Sequence, residues 1–211
     1  FGFINGLLVT SVRLPAFIVT LGTTNIAFAL TRIYTTSTIT NLPDPLLFLG
    51  TTFNVAGTQI TYGSVLMFLL YALTWFILRS TPAGRSVYAV GDNPEAARLA
   101  GINTSRVLTG VYATAGLTYG IAALMLVART GVGDPQAGQT SALESITAVV
   151  LGGTSLFGGR GTIIGTLFGV LIVGVFRNGL QLMGVESIYQ VLITGILVIL
   201  AVSIDQLSHR G

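Results

Sequence analysis

Few residues of this chain could do chemistry, and their spacing narrows what kind. Cysteine is absent, and the one histidine, His209, sits at the extreme C-terminus. A lone imidazole cannot form a metal site, and disulfide or thiolate chemistry is excluded, so no metal ligands are assigned. Gly153–Gly161 has the glycine density of a phosphate cradle. A nucleotide-binding loop, however, needs Gly-Lys-Ser/Thr after four spacer residues, because the lysine reaches the phosphates. The chain carries Gly158-Gly159-Arg160 there and no lysine anywhere, so it is not expected to bind ATP or to hold a catalytic residue.

Two other groups of residues remain. One is polar side chains inside apolar stretches: Asn25, Tyr119, Glu144, Arg177, Asn178, Gln181 and Gln190. Ionisable groups within a membrane mark function by default. Glu144 is a candidate for lining a path, but Ser141 and Glu144 also make an S-x-x-E capping box, which explains the carboxylate without a path. Arg177 is placed either to reach an interface or, with Asn178 and Gln181 on its face, to bond the hydroxyls of a solute. Asn25, Tyr119 and Gln190 are candidates for the same translocation pathway, with inter-helix hydrogen bonding as the ordinary alternative. The second group is the run Gly91-Asp92-Asn93-Pro94-Glu95-Ala96-Ala97-Arg98-Leu99-Ala100-Gly101. Asn93 suits an N-cap, Pro94 the first helical position and Gly101 the end, which predicts a helix of about two turns.

The elements that must position these residues are apolar helices. Hydrophobic residues form 52% of the chain and charged ones 8%, and mean hydropathy is +0.82. A soluble surface needs about a quarter charged residues, so most of this surface faces something other than water. Spans of about 20 apolar residues are expected at Pro15–Tyr34, Ile60–Leu78, Val107–Ala128, Thr162–Met183 and Ile188–Ile204. Ala142–Phe157 is shorter and reads as a half-crossing or strongly tilted helix, and Phe1–Val9 as the end of a truncated one. The fold class is all-α: a polytopic transmembrane helix bundle with a re-entrant or half-spanning helix. Glycines at 161, 165 and 169, and at 116 and 120, mark close helix packing within the chain or at a subunit interface.

The net charge of +3 comes from arginines scattered at the ends of apolar segments, which argues against nucleic acid. If the polar segment Ser80–Arg106 is cytoplasmic, Arg13, Arg79, Arg85, Arg98, Arg106, Arg160 and Arg210 fall on that side. Arg32, Arg129 and Arg177 fall towards the other, so the positive-inside rule favours this orientation and a cytoplasmic C-terminus.

Glu95-Ala96-Ala97 followed by Gly101 resembles the EAA-x-x-x-G loop of permeases of ATP-binding-cassette (ABC) importers. Thr81–Gly91, Ala142–Gly161 and Leu14–Thr23 resemble the ribose, xylose and fructose permeases of that group. The resemblance implies that residues 1–211 are a single transmembrane permease domain lacking its first helices, in a bacterial inner membrane. It implies an ATPase-coupling loop at residues 80–106, with Gly91, Asp92, Pro94, Glu95, Ala96, Ala97, Arg98 and Gly101 at its heart. Cytoplasmic ATPase subunits holding ATP and magnesium, a periplasmic sugar-binding protein and a second permease subunit are the implied partners, and this chain needs no cofactor of its own. The competing readings are an ion-coupled secondary transporter, which would place paired carboxylates or broken helices at midplane, and an ABC permease for a non-sugar solute.

Overall fold

The computed structural model describes residues 1–55 and 57–208; His209 and Arg210 lie outside the described residues. The helices are α1 (Gly2–Ser11), α2 (Ala16–Tyr34), α3 (Asp44–Leu47), α4 (Tyr62–Ser80), α5 (Pro82–Asp92), α6 (Pro94–Leu99), α7 (Thr104–Thr130), α8 (Ser141–Leu151), α9 (Ile163–Leu182) and α10 (Ser187–Ser208). A two-stranded antiparallel hairpin, β1 (Thr52–Val55) and β2 (Thr58–Thr61), interrupts them, with Thr52 opposite Thr61 and Phe53 opposite Ile60. Among the described residues, α2, α4, α7 and α9 are long and apolar enough to cross a membrane. At 1.5 Å per residue, the 19 residues of α2 or α4 reach roughly 28 Å, close to the hydrocarbon thickness. α8 has 11 residues, roughly 16 Å, which is half a crossing. The fifth expected span falls in α10, whose apolar part among the described residues is Ser187–Leu200. The result is an all-α, polytopic, multi-pass membrane fold.

The chain divides into two compact units, residues 1–70 with 101–137, and residues 71–100 with 138–211. In the first, α1 lies against α7 where small residues let backbones touch. A Cβ on Gly2 would sit 2.7 Å from the Cα of Gly116, and one on Gly6 would sit 2.9 Å from the Cα of Thr109. The hydroxyls of Thr10 and Thr109 meet at 3.1 Å across this seam. Gly120, paired with Gly116 in the sequence, meets nothing. The hairpin follows α3 in the threonine-rich stretch before α4, and Phe53 and Phe48 pack on Tyr62, each with ring centroids 4.8 Å away. The hydroxyls of Thr20, Thr24 and Thr31 in α2 donate to carbonyls four residues back. That satisfies them within the helix, as a lipid-facing helix requires.

In the second unit, α8 lies on α9. A Cβ on Gly165 or Gly169 would collide with the carbonyl oxygen of Gly152 or Ala148. The glycine stripe is thus used for packing inside the chain. α10 lies against α8, and the core includes Thr147, Ala148, Val150 and Leu180, with the Thr147 hydroxyl donating to Leu143. Much of the remaining apolar surface is uncovered: Phe17, Val175 and Ile199 are each more than 60% exposed. A solvent that is itself apolar covers such a surface without cost.

Candidate functional site

The polar segment between α4 and α7 folds into two short helices rather than one. Ser80–Thr81 ends α4, and Thr81 caps α5: its hydroxyl accepts the Gly84 N–H at 3.3 Å and donates to Ile77 at 2.7 Å. Pro82, in the first turn of α5, has no N–H to satisfy. Gly84 has no room for a side chain against Leu78, so α5 turns away tightly from the end of α4. This helix was not foreseen, because Pro82 and Gly84 read as loop residues.

α6 matches the expected caps. Asn93 accepts the Ala96 N–H at 2.9 Å, Pro94 opens the helix, and Gly101 follows it with φ +85°, a conformation that favours glycine. Only Ala97 is buried, and it faces inward. Ala96, Leu99 and Ala100 are exposed, Leu99 by 78%. Glu95 and Arg98, one turn apart, form an ion pair at 2.6 Å, with a second bond from Arg98 Nε at 3.3 Å. The hydrogen bond and charge of Arg98 hold the Glu95 carboxyl below its usual range, and the guanidinium is stabilised in turn. Above that range Glu95 is ionised and the clip is intact; it weakens only as acid protonates the carboxylate. The site is a small apolar ridge flanked by a closed ion pair.

Gly91 and Asp92, assigned to the same loop from the sequence, face the opposite way. They meet the glycine turn that joins α8 to α9. A Cβ on Gly91 would be 2.7 Å from the amide nitrogen of Gly159, and one on Gly159 would be 2.8 Å from the Cα of Asp92. Gly158 and Gly159 hold φ of +97° and +70°, and Gly158 comes so close to the Gly91 carbonyl that a side chain would collide. The Tyr88 hydroxyl donates to the Gly161 carbonyl at 3.0 Å. A cleft of about 280 Å³ runs along this contact, lined by Val87, Tyr88 and Thr154 among others. Tyr88, Gly158, Gly159 and Gly161 were missed as site residues. The signal was present in the i, i+3 spacing of Tyr88 and Gly91 and in the glycine run, but nothing local links the two.

The expected capping box does not form. Ser141 is the first residue of α8, not its cap, and the preceding Thr140 makes no side-chain cap bond. The Glu144 carboxylate turns instead to Arg177 of α9, at 2.5 Å, and accepts from the Thr140 hydroxyl at 2.9 Å. A full charge outcompetes a backbone N–H for a carboxylate, and the α8–α9 seam brings that charge within reach. Arg177 is therefore paired within the chain through Nη1, while about half of its side chain stays exposed. Of the candidate pathway residues, Gln190 donates to Val185 at 2.8 Å. Asn25, Tyr119, Asn178 and Gln181 are exposed on the chain and make no side-chain hydrogen bond among the described residues.

Apolar helices of crossing length, a half-length helix seated on a glycine seam and a capped polar segment define a helical membrane protein. The chain belongs to the family described as the branched-chain amino acid transport system / permease component, whose model matches residues 1–202. It is 49% identical to the fructose import permease protein of Rhizobium meliloti, over 97% of this chain and 59% of that protein. It is 42% identical to the ribose import permease protein of Bacillus subtilis, over 96% of this chain and 63% of that protein. With the galactose/methyl galactoside import permease protein of Haemophilus influenzae it shares 33%, over 99% and 63%. The chain thus spans about three fifths of the length of these relatives. No solved structure matches it. Members of the family are transport permeases rather than enzymes.

Proposed function

We propose that this chain is the greater part of the membrane subunit of an ABC importer for a monosaccharide. One observation carries the reading: α6 is a capped, solvent-facing helix whose only inward residue is Ala97, leaving the Ala96–Leu99–Ala100 ridge and the Glu95–Arg98 pair for a partner. A cytoplasmic ATPase subunit docks on that ridge, and ATP with its magnesium is bound and hydrolysed there. A periplasmic sugar-binding protein delivers the solute, and a second permease subunit completes the pore in the bacterial inner membrane, with the C-terminus cytoplasmic. Both units of the chain belong to one permease domain. The relatives are a fructose, a ribose and a galactose/methyl galactoside import permease, which supports a monosaccharide over an amino acid as the solute. An ion-coupled mechanism finds no support in Glu144, whose carboxylate is engaged by Arg177 and Thr140.

The test is Glu95→Lys, which sets two cations side by side on α6. Membrane insertion is expected to be unchanged, while ATPase capture and ATP-dependent sugar uptake are lost. Normal uptake by this variant overturns the docking role.

A further inference from the structure

We infer that the contact between α5 and the glycine turn 155–161 is the joint through which movement of the docking helix reaches the membrane-embedded pair α8 and α9. The inference rests on the importer reading. It concerns Tyr88, Gly91, Gly158 and Gly159, none of which touches the exposed ridge of α6.

The joint is backbone against backbone. Gly91 and Gly159 approach so closely that a Cβ on either would be within 2.8 Å of the other segment's backbone, and Gly158 closes on the Gly91 carbonyl. The side chain that joins the contact at Gly159 is the short Asp92, whose Cβ and Oδ1 stand 2.8 and 3.0 Å from where a Cβ would sit, and close-packed contacts transmit strain rather than damp it. The Tyr88–Gly161 hydrogen bond ties the far end of the turn to the same helix.

Both sides of the joint are stiff. α5 and α6 are separated by Asn93 alone, whose N–H bonds Ala89 and whose side chain caps Ala96. The two helices therefore move as one piece. On the other side, the turn joins α8 through Gly152–Thr154, whose Gly152 and Thr154 N–H groups bond Ala148 and Val149, and joins α9 through Thr162. These two are locked together by Gly165 on Gly152 and Gly169 on Ala148, and again by Glu144–Arg177. A push on α6 thus turns α5, and α5 carries the turn and the half-helix with it. Tyr88 and the three glycines are positioning residues that act through others.

The experiment uses the assembled transporter in proteoliposomes, with its ATPase and binding protein, and measures two quantities: ATPase capture by the permease and sugar moved per ATP hydrolysed. Tyr88→Phe, which keeps the packing and removes one hydrogen bond, is expected to leave capture unchanged and to lower the transport ratio about threefold to tenfold. Gly91→Ala, which forces the segments apart, is expected to lower it further, with capture again unchanged. Gly174→Ala, on α9 with no neighbour within 4 Å, should behave as wild type. An unchanged ratio in both Tyr88→Phe and Gly91→Ala overturns the joint, while Glu95-dependent capture would leave the importer reading standing. Absence of Glu95-dependent capture in the wild-type protein removes both.

Discussion

Gly169 and Gly174 sit five residues apart on α9 and carry opposite expectations. A Cβ on Gly169 would collide with the Ala148 carbonyl and stand 2.8 Å from the Gly152 nitrogen, whereas one on Gly174 meets nothing within 4 Å. Ordinary Cβ contacts begin near 3.4 Å, so Gly169→Ala forces α8 to retreat from the seam. Overpacking of this kind costs about 1–3 kcal/mol. Both substitutions also gain about 0.5–1 kcal/mol from replacing a helical glycine, and that gain cancels in the comparison. The difference between the two variants is therefore the seam alone, a factor of about 5–150 in the folded population. Reversible unfolding in mixed micelles, followed by circular dichroism against added SDS, reads this difference. Gly174→Ala should be slightly more stable than wild type, and Gly169→Ala clearly less stable than Gly174→Ala. Equal stability of the two variants would refute the packing of α8 on α9 as described.

Two further outcomes follow from single contacts. Arg177→Met leaves Glu144 with only the Thr140 hydroxyl. Because the pair is partly exposed, the expected loss lies between that of a surface pair and a buried one, about 1–3 kcal/mol, and Glu144→Gln in the same chain should recover part of it in a double-mutant cycle. Asn93→Ala removes the cap of a six-residue helix, worth about 1 kcal/mol, so trypsin cleavage after Arg98 should quicken about fivefold while the spans stay protected.

What was legible in the sequence was local. Asn93, Pro94 and Gly101 announce α6 because capping chemistry acts over three or four residues, and the apolar runs announce the spans because helix length is set by the bilayer. The glycine stripe on α9 announced close packing, while α8 is shorter than the apolar run Ala142–Phe157 because Gly152-Gly153 ends the helix after Leu151. The misreadings were competitions. Ser141 looked like a cap because Glu144 stands three residues on, but Arg177, 33 positions away, binds that carboxylate. α5 was hidden because Pro82 and Gly84 read as breakers, although a proline in the first turn and a glycine at a tight approach both suit a helix beginning. The hairpin at Thr52–Thr61 was hidden in a stretch whose threonines gave no clean alternation. The contact of Tyr88 with Gly161 spans 73 positions, and nothing short of the fold brings them together.

The most direct test uses the absence of cysteine from residues 1–211. Leu99→Cys places one thiol on the exposed ridge of α6, where the native side chain is 78% exposed. In oriented membrane vesicles, a membrane-impermeant maleimide should label it only from the cytoplasmic face, and the bound ATPase subunit should block the labelling. Labelling from the periplasmic face, or labelling unaffected by the ATPase, would contradict a docking helix at residues 94–99.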